Sequence, residues 1–251
     1  MSLLMGCPKQ PLFGTAHSPA LNLDEQLENR EGLWFVVSND ELYSGTIFSN
    51  HPDGSLAVQG TIANGVPQGT WTYWHTNGQK RSEGNIIYGV EEGLWIRWYE
   101  NGQKESEGTI INGKLEGIST SWHTNGQKKT ERLFVEGLED GTWTSWYENG
   151  QKKVEGSVTN GQIEGMWTYW YKDGTRKAIR NFKNGRETGF WQIWHENGQL
   201  AGQGNTIYGK PDGTWIQWNE NGNKIQQQVY QDGELINEQQ FPDEANTEPE
   251  E

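Results

Sequence analysis

A glycine returns every 24 residues without a slip, at Gly45, Gly69, Gly93, Gly117, Gly141, Gly165, Gly189 and Gly213. A fixed period of this length marks a chain built from stacked units, each too small to bury a core alone and each touching only its neighbours. Two residues after that glycine stand Trp71, Trp95, Trp143, Trp167, Trp191 and Trp215, with Ile47 and Ser119 as the exceptions. Three further on stand Trp74, Trp98, Trp122, Trp146, Trp170, Trp194 and Trp218, so the two columns hold 13 of the 14 tryptophans. A second glycine column runs from Gly54 to Gly222, each member preceded by Asn or Asp, and a third runs from Gly65 to Gly233.

Each unit reads as a β-hairpin. Asn-Gly between two extended segments predicts a two-residue type I′ turn, in which both central residues need positive φ. Counting outward from Asn77-Gly78 sets His75 opposite Lys80, Trp74 opposite Arg81, Thr72 opposite Glu83 and Trp71 opposite Gly84. The last pair recurs as Trp95 with Gly108, Trp143 with Gly156 and Trp191 with Gly204, where an indole would lie over the bare strand of its cross-strand glycine. The second strand ends in the apolar column Ile62, Ile86, Ile110, Phe134, Val158, Phe182, Thr206 and Tyr230. Twenty-four residues leave no room for a crossover helix. The expected fold is therefore all-β: an elongated, single-layer antiparallel array of about eight hairpin units. Trp71 and Trp74 are three apart, so either a bulge re-aims one of them or both faces of the sheet carry aromatics.

Composition supports an ordered chain against first appearance. A formal charge of −14 and few aliphatic residues lean towards disorder, but 14 Trp and 33 Gly do not. Organisation follows the period. Residues 1–28 read as a flexible tail or tether, 29–44 as a degenerate hairpin capping the first unit, 45–238 as the array, and 239–251 as a solvated acidic tail. The single cysteine rules out a disulfide framework and a cysteine-based zinc site. Cys7 follows Leu4-Met5-Gly6, which resembles a bacterial lipobox, so Cys7 is the candidate lipidation site and membrane tether. The segment before it lacks the charged and apolar regions that export requires, and a cytoplasmic protein is expected over an envelope lipoprotein.

Chemistry finds little to hold. The chain carries no G-x-S-x-G, H-E-x-x-H, Walker loop or G-x-G-x-x-G, and the expectation is a non-enzyme with no cofactor, no metal and no catalytic residue. His75, His123 and His195 share one column with Tyr99, Tyr147, Tyr171 and Asn219, which marks a half-buried packing position rather than a general base. The Lys80, Lys104, Lys128, Lys152, Arg176 and Lys224 column is offset by neighbouring glutamates, and nucleic acid is not an expected partner. The candidate partner-binding face is Lys104, Lys128 and Lys152 with Trp98, Trp122, Trp146 and Trp170. A protein is the expected partner, because a long sheet offers area without a deep pocket. Glycan stacking on the Trp ladder is the alternative.

The unit GxWxxWxxNGQK, with the opening EGLWFVVSNDELYSG, resembles the MORN-repeat variant and, more narrowly, YwqK-type bacterial antitoxins of toxin–antitoxin pairs. The resemblance covers about residues 29–238. It implies a β-hairpin array that acts by binding, in the antitoxin case by holding a cognate toxin inactive. It supplies structural positions only and no catalytic residue.

Overall fold

The computed structural model describes residues 20–242, so Cys7 and the acidic residues from 243 on lie outside the described residues. Every unit is one antiparallel hairpin, and the hairpins join edge to edge in a single 19-stranded sheet. The first full unit pairs Val66–Trp74 with Lys80–Ile87, and the pattern continues to Lys224–Gln231 and Glu234–Gln240. Strands adjacent in sequence are adjacent in the sheet, which makes the array a meander.

The turns correct the first expectation. At Asn77-Gly78 only the glycine has positive φ, +79°. His75 N donates to Gln79 O at 2.8 Å and Gly78 N to His75 O at 2.9 Å, so this is a right-handed turn closed by a left-handed glycine. The cause is the asparagine side chain, whose Oδ1 accepts from Gln79 N at 3.0 Å and holds the backbone right-handed. The type I′ turns lie at the other end of each unit, where Tyr88 and Gly89 both have positive φ, 51° and 79°. Glycine with Asn, Tyr, Glu or Asp before it fills that column from Asn64-Gly65 to Asp232-Gly233. Register is otherwise as counted, with Thr72 opposite Glu83 and Trp71 opposite Gly84. Trp74, however, faces Lys80, because Arg81 is extra on its strand and bulges out.

The indoles lie over a different glycine from the one expected. A Cβ built on Gly60 would meet the Trp71 ring, and one on Gly84 or Gly156 would overlap Trp95 or Trp167. Trp71, Trp95, Trp167 and Trp215 thus cover the glycine of the preceding unit, not their own cross-strand partner. The reason is a second bulge: between Gln59 opposite Thr72 and Thr61 opposite Gln68, the segment Gly69 to Trp71 faces Gly60 alone. The positive φ of Gly69, +71°, makes that bend and folds the indole back across the neighbouring strand.

Both faces carry aromatics, which resolves the three-residue spacing. One face holds the core: Trp71 packs with Ile47, Ile62 and Ile86 there, and Ile47 and Ile62 are 0% and 1% exposed. At Arg132 and Arg180 the receiving glycine is missing, and the Arg132 guanidinium lies 5.7 Å from the Trp143 ring centre instead. Trp143 stacks on Trp167 at 5.4 Å between ring centres, and Trp191 on Trp215 at 5.0 Å. The core is consequently discontinuous. One buried cluster runs from Leu27 to Ile86, and a second comprises Val154, Val158 and Trp167. Between them Ser119 stands in the Trp column.

Residues 20–28, expected as part of a tail, are structured. Leu21–Asn22 adds in parallel to Gly45–Asn50, a short helix spans Leu23–Gln26, and Leu27–Arg30 pairs with Leu33–Val36. Leu21, Leu23 and Leu27 join the first buried cluster, so their apolar surface holds this stretch against the sheet edge despite its lack of period. At the other end the last strand runs to Gln240, two residues into the segment expected as acidic tail.

Indole hydrogen bonding separates two otherwise equivalent positions. Trp167 Nε1 donates to Ser157 O at 3.2 Å, whereas the buried Nε1 of Trp71 has no partner among the described residues. Trp167→Phe is expected to destabilise by about 1 kcal/mol more than Trp71→Phe, read from urea midpoints, because only the former loses a bond.

Candidate functional site

The second Trp column lies on the face opposite the core. Thr72 and Trp74 alternate with Trp71 and Tyr73 along their strand and point the other way. On this face Lys80 Nζ contacts Glu83 Oε2 at 2.6 Å and sits 5.9 Å from the Trp98 ring centre. The arrangement repeats with Lys104 on Glu107 and Trp122, Lys128 on Glu131 and Trp146, and Lys152 on Glu155 and Trp170. All seven residues expected to form the partner face are therefore brought together. Each lysine is engaged from two sides, by the carboxylate of its own strand and the indole of the next unit. The lysine bond, joined by one from Thr72 Oγ1, holds the Glu83 carboxyl below the usual range against the opposing effect of burial.

Two further ladders tie the turns together, and sequence reasoning missed both. His75 Nε2 meets Trp98 O at 2.8 Å, Tyr99 OH donates to Trp122 O at 2.7 Å and Tyr147 OH to Trp170 O at 2.8 Å. A carbonyl only accepts, so the histidine nitrogen facing it carries the proton. The column shared by His and Tyr thus selects a ring with a donor at its far end, a signal present in the residue types themselves. Asn77 Nδ2 likewise donates to Glu100 O at 2.7 Å and Asn125 Nδ2 to Glu148 O at 2.7 Å, one unit along. These bonds absorb the histidines and asparagines into structure.

The outer face also carries exposed apolar side chains. Leu94, Ile118, Met166 and Phe190, each directly after the bulge glycine, are 53%, 61%, 59% and 47% exposed. Ile118 pairs across with Leu133, itself exposed. Leu94 and Ile118 stand two strands apart, about 10 Å, as do Met166 and Phe190, and the exposed Thr142 separates the two pairs. A row of this kind has no use inside the chain.

The turn edge of the sheet has its own feature. Near the Asn149-Gly150 and Asp173-Gly174 turns of the fourth and fifth full units, two adjoining concavities of about 530 and 310 Å³ share Tyr147 and Lys153. Lys172 and Glu148 line the first, and Tyr169, Lys177 and Arg180 line the second. Among the described residues no cluster of His, Cys, Asp and Glu is arranged to hold a metal ion, and no helix is long and apolar enough to cross a membrane.

Known proteins supply the last observation. The family described as MORN repeat variant matches seven times, at residues 67–87, 91–112, 115–136, 139–160, 163–184, 188–207 and 211–232, together more than half of the chain. No curated protein matches. The crystal structure of TcdB2-TccC3-Cdc42 is 11% identical over 73% of this chain and 14% of that one, with a TM-score of 0.19. The chain thus spans about one seventh of that structure's length. A protein of unknown function from Bacteroides fragilis NCTC 9343 is also 11% identical, over 79% of this chain and 94% of that one, with a TM-score of 0.11. At those TM-scores neither likeness bears on function.

Proposed function

The chain belongs to the MORN repeat variant family, and from that premise we propose that it is a non-enzymatic repeat scaffold whose outer face binds another protein. The observation that carries this reading is the exposed row Leu94, Ile118, Met166 and Phe190 beside the Lys–Trp ladder. An apolar row rimmed by fixed charges is the composition of a protein-recognition surface. The resemblance to YwqK-type antitoxins gives a narrower form, in which the partner is a toxin held inactive. Glycan stacking is the weaker alternative, because it needs indole faces on which Lys104, Lys128 and Lys152 already sit.

The test is affinity capture with the array, compared with an Ile118→Asp/Met166→Asp variant. Both side chains are exposed, so the variant is expected to stay within about 1 kcal/mol of the parent. Capture of the partner protein is expected to fall by about tenfold or more. A partner held equally well by the variant would sink the reading of this face. Retention on a polysaccharide column with no protein captured would give the function to the glycan reading.

A further inference from the structure

The chain is acidic overall, but its charge is not evenly spread. Between residues 172 and 186 stand six cations, Lys172, Arg176, Lys177, Arg180, Lys183 and Arg186, against the single acid Asp173. The repeat explains why this stretch keeps its charge. Where Lys152 has Glu155 three residues on, Arg176 has Ile179, so the neutralising carboxylate of the ladder is replaced by an apolar side chain. Arg180, like Arg132, stands in the column where Gly60, Gly84, Gly156 and Gly204 receive an indole, and it lies against the Tyr169 ring.

Folding gathers part of this charge around the two concavities. Lys153 stands 5.6 Å from the Tyr147 ring centre, Lys177 5.3 Å from Tyr171, and Arg180 5.9 Å from Tyr169. Lys172 joins Lys153 on the wall of the larger concavity. The acids nearby are few and partly committed. Glu148 reaches His123 Nδ1 at 4.0 Å, Glu187 lies 3.6 Å from Arg180, and Asp173 accepts from Thr175 N and Oγ1 at 2.8 and 2.6 Å. Burial raises the Tyr169 phenol above its ordinary value, so at neutral pH it remains a hydrogen-bond donor beside the cations.

We propose that the surface formed by Lys153, Lys172, Lys177 and Arg180 with Tyr147 and Tyr169 is a second binding site, which takes a short acidic peptide segment of a partner protein. It includes no residue of the apolar row. Carboxylates suit a site made of separated cations and a phenol donor, since each lysine can pair with one carboxylate and Arg180 can take both oxygens of another. Nucleic acid suits it less on two counts. The cations cover ring faces on which bases would stack, and a long polyanion would run on into the acids of adjacent units, Glu196 and Glu220 among them.

The probe is a fluorescein-labelled peptide of alternating glutamate and leucine, titrated with the full chain and followed by anisotropy. Binding is expected, and it is expected to weaken about tenfold between about 0.05 and 0.5 M salt. Lys153→Gln/Lys177→Gln should lose about tenfold in affinity at low salt, while Lys114→Gln/Lys210→Gln, of equal charge change, should lose less than about twofold. Circular dichroism of both variants confirms that the sheet is intact. Absence of binding by the parent, or equal loss in both variants, overturns the proposal. So does tighter binding of a single-stranded oligonucleotide or of anionic lipid vesicles than of the peptide. None of these results touches the Ile118 and Met166 test, so the two readings fail separately.

Discussion

Gly156→Ala is expected to cost about 3 kcal/mol, far more than a glycine-to-alanine change in an ordinary strand. Its backbone is not left-handed, so the effect comes from space alone. The added Cβ would lie inside the Trp167 ring, which is buried at the centre of the second cluster, and the indole must leave its seat. Trp167→Ala should cost about 3–5 kcal/mol through the cavity it leaves. The double variant distinguishes this cause from general damage. Once the indole is gone the alanine methyl has room, so the two costs should fall short of adding by at least about 1 kcal/mol. Gly165→Ala is the contrast, since its Cβ would meet nothing within 4 Å and only its positive φ of +66° resists, at about 1 kcal/mol. Urea unfolding followed by circular dichroism measures all four. Additive costs at Gly156 and Trp167 would disprove the indole-over-glycine seat.

The array is expected to open in two blocks rather than one. A repeat chain propagates order through nearest-neighbour contacts, so its weakest interface sets where cooperativity breaks. That interface lies in the unit with Ser119 and Arg132. Gly108 of the preceding unit receives no indole, a Cβ there first meeting Leu115 and Ser119, and the buried Arg132 Nε has no partner among the described residues. Hydrogen exchange in sub-denaturing urea should show the amides of residues 117–135 exchanging first. The stretches around Ile62 and Val158 should stay protected by about a hundredfold more, the equivalent of roughly 3 kcal/mol of opening free energy. A single sharp transition with uniform protection from Ile47 to Tyr230 would disprove the division.

The fold and the candidate site were legible to different degrees. The 24-residue period, the hairpin, the pairing of Trp71 with Gly84 and the all-β meander follow from spacing alone. Spacing is sufficient there because strand alternation and turn glycines are local, and eight copies repeat the same local signal. The capping segment shows where local signal ends. Leu21, Leu23 and Leu27 carry no period, and only the exposed edge of Gly45–Asn50 and the apolar residues above it make their burial favourable. The Asn-Gly turns show a competition that pattern does not weigh. A side-chain bond to Gln79 N, and another to the next unit, hold Asn77 right-handed and move the type I′ geometry to the other end of the hairpin.

The site divides the same way. Its residue columns on the outer face, Lys104, Lys128 and Lys152 with the second-column tryptophans, are visible in the sequence as columns, because the period puts them in line. That each lysine is spent on a neighbouring indole and carboxylate is not, since it depends on how far one unit is displaced from the next. The sequence by itself determined which residues share a column, and hence the array. The tertiary structure alone decided which face each column takes and which columns stay free, because two bulges per unit, one at Gly69 and one at Arg81, break the two-residue alternation from which facing is read.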